Sequence, residues 1–443
     1  MVEPVGPQGA DYVNVSDDSL SGEDNKISIV AGEVFSESSV ERTALSVSSL
    51  ESRVSQFIET KKLNSDQLAL PSGQGLGYKS TGLIEMKELA DACGAEVPPF
   101  LALSHHELLA HILLHYPDFK KDYASFVASM GNPPVLTEAG LALLAKIQSE
   151  LRGAFSKSPL FETPALKDWI ESVGSDFIAV RSTGKEDSTT NSNAGGNLSN
   201  PFVQKVRDEI LINIGEVIAS YFDKRSITQR IASEDPSLVE DKEPFVPVLL
   251  QWAVAEPIEG ETPDGQVPIS GVMFIKNLVS EISVGLGHNE GVVTSQVRTD
   301  SYRFIDEGEI IGVIQNKSTR FRGKRDEEGN VVCEAVSCKK TLAEAPALKP
   351  EIAKKLQMIA NAIYKLKKME MDVEFTIVGD KIYLLQARPL NTPKPEEEPS
   401  YLDGSVDQIQ CESLTEGGVI CKSDRIIRKC NCMQNDSRCL CKI

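Results

Sequence analysis

The stretch that decides the fold is residues 372–389, which read DVEFTIVGDKIYLLQARP. Polar and apolar residues alternate in both halves with the two-residue period of a β-strand, and the central Gly-Asp pair is typical of a tight turn. The stretch therefore predicts a hairpin of two antiparallel strands. Asp372 and Glu374 share one face of the first strand. Gln386 and Arg388 share one face of the second.

The register of this hairpin decides whether the two polar faces coincide. If Gly379 and Asp380 alone form the loop, Glu374 faces Leu385, and Gln386 lies on the opposite side. An odd-length loop or one bulge would place Glu374 near Gln386 on the same face. Carboxylates, an amide and a guanidinium on one face would suit a hard cation and phosphate, because Mg²⁺ prefers oxygen ligands. A half-exposed hairpin with one polar face is the alternative.

A second polar segment follows the apolar run Phe177–Val180. Arg181 stands at the end of this predicted strand, and a long loop rich in Ser, Thr, Asn and Gly continues to Gly196. Loops of this length inside a domain are usually functional, and Arg can grip phosphate oxygens with two parallel hydrogen bonds. The alternative is a solvated surface loop in which Arg181 forms a salt bridge.

A third segment, residues 73–80, reads GQGLGYKS. It matches neither the Walker loop, in which Gly and Lys are adjacent, nor the dinucleotide fingerprint, which has a different glycine spacing. What remains is a flexible stretch of backbone amides followed by Lys79 at the start of a predicted helix, an arrangement suited to anions. A plain loop is the alternative.

These three segments, taken in their order along the chain, resemble the nucleotide-binding domain of the phosphoenolpyruvate synthase and pyruvate phosphate dikinase family. The resemblance covers residues 71–390 and is carried by seven motifs. They are GYKSTGL (77–83), VPPF (97–100), the 180–195 loop, Leu250-Gln251, SGVMF (270–274), GLG (285–287) and LQARP (385–389).

The resemblance implies an α+β class and an ATP-grasp fold, in which two lobes hold ATP in the cleft between them. It also implies a role for eight side chains. The phosphates and the transferring phosphoryl group would be contacted by Lys79, Arg181 and Arg388. Around the nucleotide the resemblance also implies Gln251, Glu290 and Asp372. At Mg²⁺ it implies Glu374 and Gln386.

We expect four regions along the chain. Residues 1–66 are rich in Ser and acidic residues and poor in aromatic ones, which predicts a largely flexible extension. Residues 67–245 would form the first ATP-grasp lobe with a helical insertion, and residues 246–391 the second lobe. Residues 392–443 would form a linker and a Cys-rich tail.

The expected function is that of an ATP- and Mg²⁺-dependent phosphotransferase component. In the family, the β-phosphoryl group of ATP passes to a His on a swivelling domain and leaves AMP. No phosphohistidine motif occurs in this sequence, so the acceptor would be a His on a separate domain or partner protein. The alternative is a non-catalytic ATP-binding or regulatory relative. Two departures from the family are Gly82, where Asn is usual, and His288-Asn289, inserted before Glu290.

Composition excludes several other classes. The 443 residues include 46 Lys and Arg against 65 Asp and Glu, a net charge of −19. Such an acidic chain lacks the basic surface that nucleic acid or an anionic membrane requires. No apolar run approaches the roughly 18 residues that span a bilayer, and the N-terminus lacks the features of a signal peptide. We therefore expect a cytoplasmic protein without a nucleic-acid or membrane partner.

Two further groups of residues could bind metal. His111 and His115 stand four positions apart on a predicted helix and could share an ion, although polar helix faces are commoner. Six of the nine Cys follow residue 410, and their C-x-C units could bind Zn²⁺ or Cu⁺ through thiolates. The alternative is an unstructured tail in a reducing compartment.

Overall fold

The computed structural model describes residues 28–30, 52–59, 75–156, 164–173, 177–184, 197–232, 244–258, 260–277, 279–305, 309–327, 329, 331–390, 411–413 and 419–421. The chain divides into two compact units, Met1–Asn391 and Thr392–Ile443. In the described part of the chain, no helix has the length and apolar character needed to cross a membrane.

Helices and strands alternate in the first unit, which confirms the mixed α and β class. The described helices are α1 (52–59), α2 (Tyr78–Ala92), α3 (His105–His115), α4 (Phe119–Met130), α5 (Glu138–Ser156), α6 (Pro164–Ser172), α7 (Arg207–Ser220), α8 (Lys224–Ala232), α9 (Glu290–Val293), α10 (Lys340–Glu344) and α11 (Pro350–Lys367). The described strands are β1 (Ser28–Val30), β2 (Phe100–Leu103), β3 (Phe177–Ser182), β4 (Ser199–Gln204), β5 (Val248–Trp252), β6 (Ile269–Ile275), β7 (Val279–Leu286), β8 (Asp300–Ile305), β9 (Ile310–Ile314), β10 (Thr319–Arg325), β11 (Val331–Ser337), β12 (Met371–Val378) and β13 (Lys381–Pro389).

A smaller sheet of four strands has the order β2-β5-β3-β4, and each neighbouring pair is antiparallel. Helices α3 to α8 supply most of the apolar side chains that cover it. Helix α3 illustrates how the sequence starts these helices. Ser104 and Glu107 form a capping box, in which the Ser104 hydroxyl accepts from the Glu107 amide and the Glu107 carboxylate accepts in return.

A larger sheet of seven strands has the order β1-β9-β8-β7-β6-β12-β13, again antiparallel throughout. Helices α2 and α11 pack on this sheet, and their buried residues join its hydrophobic core. A separate hairpin, β10 with β11, contacts the larger sheet through β7 and the smaller one through β4. The two sheets therefore have distinct cores, and the hairpin touches both.

Packing places three segments differently from the predicted regions. Within the predicted flexible extension, residues 52–59 form α1, and Val54 and Ile58 are buried in the core of the larger sheet. Helix α2, predicted in the first lobe, packs in the same core because Met86 and Leu89 face β13 and its neighbours. Strand β5, predicted in the second lobe, lies between β2 and β3. Its nearly continuous burial explains this central position.

The second unit contributes six described residues. Strands β14 (Cys411–Ser413) and β15 (Val419–Cys421) pair antiparallel, with Cys411 opposite Cys421. The predicted linker and both C-x-C units lie outside the described residues.

Candidate functional site

The hairpin of β12 and β13 has both a two-residue loop and a bulge, two features that the sequence left as alternatives. Its loop contains only two residues, because Val378 pairs with Lys381. A bulge then shifts the register, so that Phe375 pairs with Leu384 but Glu374 pairs with Gln386. The bulge is therefore what brings a carboxylate and an amide to the same face of the strand pair.

The bulged residue, Leu385, turns its backbone carbonyl toward the smaller sheet. This oxygen accepts hydrogen bonds from Gln251 Nε2 at 3.1 Å and from the Arg181 guanidinium at 3.4 Å. The side chain of Leu385 packs with Val254 and Tyr383. The bulge is thus stabilised by contacts from β3 and β5, which lie far from the hairpin in sequence.

Arg181 lies at the centre of the site. One terminal nitrogen donates to Gln251 Oε1 at 3.1 Å, and the other donates to Gln386 Oε1 at 2.7 Å and to Glu374 Oε2 at 3.4 Å. The Arg181 and Glu374 side chains are only 15% and 11% exposed. Their ion pair is therefore largely shielded from solvent, in a setting where charges interact more strongly than at the surface.

Helix α2 brings Lys79 to the same place. Its ammonium group donates to the Ser182 carbonyl at 3.0 Å, and the Ser80 amide donates to Thr183 Oγ1 at 3.1 Å. Gly77, at φ +81°, allows this approach, because a Cβ there would lie 1.5 Å from the Thr183 carbonyl oxygen. The start of α2 is therefore joined to the end of β3. The remainder of the predicted loop, residues 185–196, lies outside the described residues.

Gly82 has a similar steric role on the other side of α2. A Cβ at this position would lie 2.6 Å from the Ala387 carbonyl oxygen of β13. The departure from the family's Asn thus accompanies a close contact between α2 and the hairpin.

A cleft of about 740 Å³ lies where these elements meet. It is lined from both sheets and contains seven of the eight predicted site residues. They are Lys79, Arg181, Gln251, Glu290, Glu374, Gln386 and Arg388. The geometry therefore brings side chains that are separated by up to 309 positions of sequence, from Lys79 to Arg388, to one hollow.

Asp372, the eighth predicted residue, does not line the cleft. Its Oδ2 accepts two hydrogen bonds from the Arg388 guanidinium, at 2.9 and 2.7 Å. Burial raises the pKa of Asp372, although Arg388 opposes this effect. The geometry makes Asp372 an anchor that orients Arg388, and its predicted contact with the nucleotide stays a prediction.

Residues 288–290, after the glycine turn of β7, add three polar side chains to the cleft. His288 packs against Phe202, with ring centroids 4.8 Å apart. Burial, helped by the positive charge of Arg181, lowers the pKa of His288 to about 4, so the imidazole is neutral at physiological pH. Burial and the nearby Glu374 carboxylate raise the pKa of Glu290.

Asn289 is a site residue that the sequence interpretation missed. Its amide nitrogen donates to Glu374 Oε2 at 3.0 Å, and the residue is only 4% exposed. The signal that could have found it was the two-residue insertion between Gly287 and Glu290, which we interpreted as a displacement of the Glu alone.

The described residues contain no group of three or more His, Cys, Asp or Glu that could hold a metal ion by themselves. The site instead offers the carboxylate of Glu374 and the amide oxygens of Gln386 and Asn289. The Asn289 oxygen is buried and accepts no hydrogen bond from the described residues. This oxygen-only donor set fits Mg²⁺, which proteins usually bind through one or two carboxylates together with substrate phosphates.

The predicted pair of His111 and His115 lies on α3, and His105 at the start of this helix supports the glycine segment. The His105 amide donates to the Gly75 carbonyl at 2.8 Å, and the His105 ring packs against Phe245 at 5.3 Å. Burial lowers the pKa of His111, with a smaller contribution from His115. A shared ion between His111 and His115 stays a prediction.

Comparison with known proteins identifies the class. The chain contains an AMP/ATP-binding domain. Residues 74–404 match the family described as pyruvate phosphate dikinase, AMP/ATP-binding domain, and the chain belongs to this family. The resemblance predicted from the seven motifs is therefore confirmed.

Three proteins illustrate its relatives. The prodigiosin synthesizing transferase PigC of Serratia marcescens is 32% identical over 134 residues, which are 28% of this chain and 14% of that protein. The uncharacterized phosphotransferase YvkC of Bacillus subtilis is 26% identical over 266 residues, 55% of this chain and 29% of that protein. A probable phosphoenolpyruvate synthase of Methanocaldococcus jannaschii is 35% identical over 133 residues, 28% of this chain and 11% of that protein. The chain thus spans less than a third of each.

Proposed function

We propose that this chain binds ATP with Mg²⁺ between its two sheets, as an ATP-grasp fold does, and passes the β-phosphoryl group to a histidine on a separate domain or partner protein. AMP is the leaving group, and the γ-phosphoryl group is transferred to water and released as phosphate. The observation that carries the proposal is the convergence of Lys79, Arg181, Arg388 and the Glu374/Gln386 hairpin on one cleft. Phosphoryl transfer depends mainly on positioning and on neutralising charge, and these residues supply both.

The cations would take up the phosphates. Lys79 donates to a carbonyl oxygen, and Arg181 donates to two amide oxygens and to the Glu374 carboxylate; a polyphosphate would compete with these partners for both cations. Arg388 is oriented by two hydrogen bonds from its guanidinium to Asp372, so the Asp372 carboxylate sets the position of its side chain. We assign to Arg388 the contact with the transferring phosphoryl group, and to Asp372 the positioning of the Arg388 side chain.

Glu374 and Gln386 would hold the divalent ion. When bound, Mg²⁺ supplies neutralisation of the charge on the phosphate oxygens. Arg181 would leave Glu374 for the phosphates, which frees the carboxylate for the ion. The neutral His288 can donate a hydrogen bond into the cleft without adding charge.

The base and ribose would occupy an adjoining hollow of about 820 Å³. It shares Trp252 to Val254 with the cleft and has aromatic walls from Phe177 and Tyr383, which suit a purine ring. Glu256 also lines this hollow. One of its oxygens pairs with Arg320 at 2.9 Å, and the other is buried without a partner in the described residues, so it could accept from a hydroxyl or amino group.

The test is incubation with ATP and a separately expressed phosphohistidine domain of a phosphoenolpyruvate synthase. We expect AMP and an acid-labile phosphate on that domain. Arg181→Ala should weaken ATP binding by roughly 10- to 100-fold, because charge-assisted hydrogen bonds are lost. Arg303→Ala, at an exposed residue of the larger sheet, is the control and should bind ATP normally.

The outcomes separate the candidate functions. If ATP raises the melting temperature but AMP never forms, the chain is a non-catalytic ATP-binding relative. If ATP leaves the melting temperature unchanged even at millimolar concentration, the proposal is wrong.

A further inference from the structure

The amide of Asn289 has a defined orientation. A carboxylate can only accept hydrogen bonds, so the group that faces Glu374 Oε2 at 3.0 Å must be the amide nitrogen. The amide oxygen consequently points elsewhere. It is buried and accepts no hydrogen bond within the described part of the chain, although the residue lines the cleft.

The lack of a partner restricts the kind of ligand that the Asn289 oxygen can bind. A buried acceptor without a donor is unfavourable, so a ligand that supplies positive charge or a donor would stabilise it. Phosphate oxygens would be repelled by it. The neighbours of Asn289 in the cleft are Glu374 and, across the strand pair, Gln386, which are themselves oxygen donors. Three residues with oxygen ligands that line one cleft favour a cation over a hydroxyl group.

We infer that the Asn289 side-chain oxygen is a third ligand of the divalent ion, beside Glu374 and Gln386, and that the ion enters this site only as a complex with nucleotide. This inference rests on the proposed function. A site with two amides and one carboxylate, which is already paired with Arg181, offers little net negative charge. Mg²⁺ loses its water reluctantly, so such a site cannot extract the free ion from solution.

Mn²⁺ serves as the probe, because its electron paramagnetic resonance signal reports free and bound ion directly. The 443-residue chain should bind no Mn²⁺ at millimolar concentration without nucleotide, and should bind it together with a non-hydrolysable ATP analogue. Asn289→Leu removes the oxygen at similar size. It should lower Mn²⁺ affinity in the nucleotide complex at least tenfold, while metal-free nucleotide binding changes less than threefold.

Asn289→Asp tests the same position by gain of function. A second carboxylate should let the chain bind free Mn²⁺ at least tenfold more tightly than the wild type. Asn197→Asp is the matched control, since Asn197 also lines the cleft but accepts a hydrogen bond from Ser226 at 2.9 Å. It adds the same charge away from the ion and should change Mn²⁺ affinity less than threefold.

The inference is overturned if Asn289→Leu retains wild-type Mn²⁺ affinity in the nucleotide complex, or if Asn289→Asp gains no more than Asn197→Asp. Free Mn²⁺ binding by the wild type would overturn the requirement for nucleotide. These results are distinguishable from failure of the proposed function, which would appear as a wild-type chain that binds no nucleotide. The measurement on Asn289→Asp without nucleotide would still decide the role of Asn289.

Discussion

The Arg181 guanidinium donates to the Gln386 amide oxygen at 2.7 Å, across 205 positions of sequence. Arg181 is the last residue but one of β3 in the smaller sheet, and Gln386 follows the bulge of β13 in the larger one. One side chain therefore links the two sheets at the cleft. Any ligand that competes for Arg181 also changes what holds the sheets together at this point.

Glu374→Gln keeps the size of the side chain but removes its charge. We expect AMP formation to fall by roughly 100-fold or more, because charge stabilisation is usually the largest single contribution to catalysis. Nucleotide binding measured by calorimetry without divalent ion should persist. Unchanged AMP formation would remove Glu374 from the ion site.

Gly82→Ala should destabilise the protein by about 1–3 kcal/mol, since the new methyl group would lie 2.6 Å from a backbone oxygen of β13. Because Lys79 is on the same helix, the ATP-induced rise in melting temperature should also shrink. Gly153→Ala in α5 is the matched control, because among the described residues no atom outside the neighbouring helix backbone lies within 4 Å of the added Cβ. It should stabilise the protein by about 0.5–1 kcal/mol in urea unfolding. Equal effects of the two variants would show that the contact with β13 is unimportant.

Lys317→Met should cost about 3–5 kcal/mol of unfolding free energy. Lys317 and Asp300 form a fully buried ion pair at 2.7 Å, and the variant leaves the carboxylate without its counter-charge. Lys324→Met, which removes an exposed pair with Glu334, should cost no more than about 0.5 kcal/mol. Chemical denaturation of both variants provides the comparison, and a loss below 1 kcal/mol for Lys317→Met would contradict the prediction.

His288 should make stability depend on pH. Its pKa is lowered from 6.5 to about 4 in the folded chain, so between these values the unfolded chain takes up a proton that the native chain does not. Stability attributable to this group is complete above pH 6.5 and falls as the pH is lowered toward 4. His288→Gln should reduce the loss of stability between pH 7 and pH 5 by roughly 1–2 kcal/mol. If the stability of the variant and of the wild type falls by the same amount between pH 7 and pH 5, the prediction is wrong.

The hairpin shows how far sequence interpretation reaches. Alternation and the Gly-Asp turn predicted both strands and their polar faces. The bulge at Leu385 was only one of two possibilities, because it is stabilised by Gln251 and Arg181, which belong to another sheet. Local sequence does not report such distant partners.

The family motifs predicted eight site residues, and seven of these line one cleft in the structure. The motifs did not reveal Asn289 or the ion pair of Asp372 with Arg388. Both depend on which atom faces which neighbour, a detail that spacing along the chain does not encode. The position of β5 relative to the predicted boundary at residue 246 has a related cause. Strand β5 follows a break in the sequence pattern, yet pairing with β2 and β3 places it in the smaller sheet.

Helix α2 belongs to the core of the larger sheet, whereas β2, the next strand along the chain, belongs to the smaller one. The polypeptide crosses from one sheet to the other here and returns after β5. The larger half is consequently not a continuous segment that could be excised, expressed alone or exchanged by recombination, because the whole smaller sheet lies between its parts in sequence. A gene fusion that transfers this nucleotide module to a new host protein must carry both sheets as one inherited block.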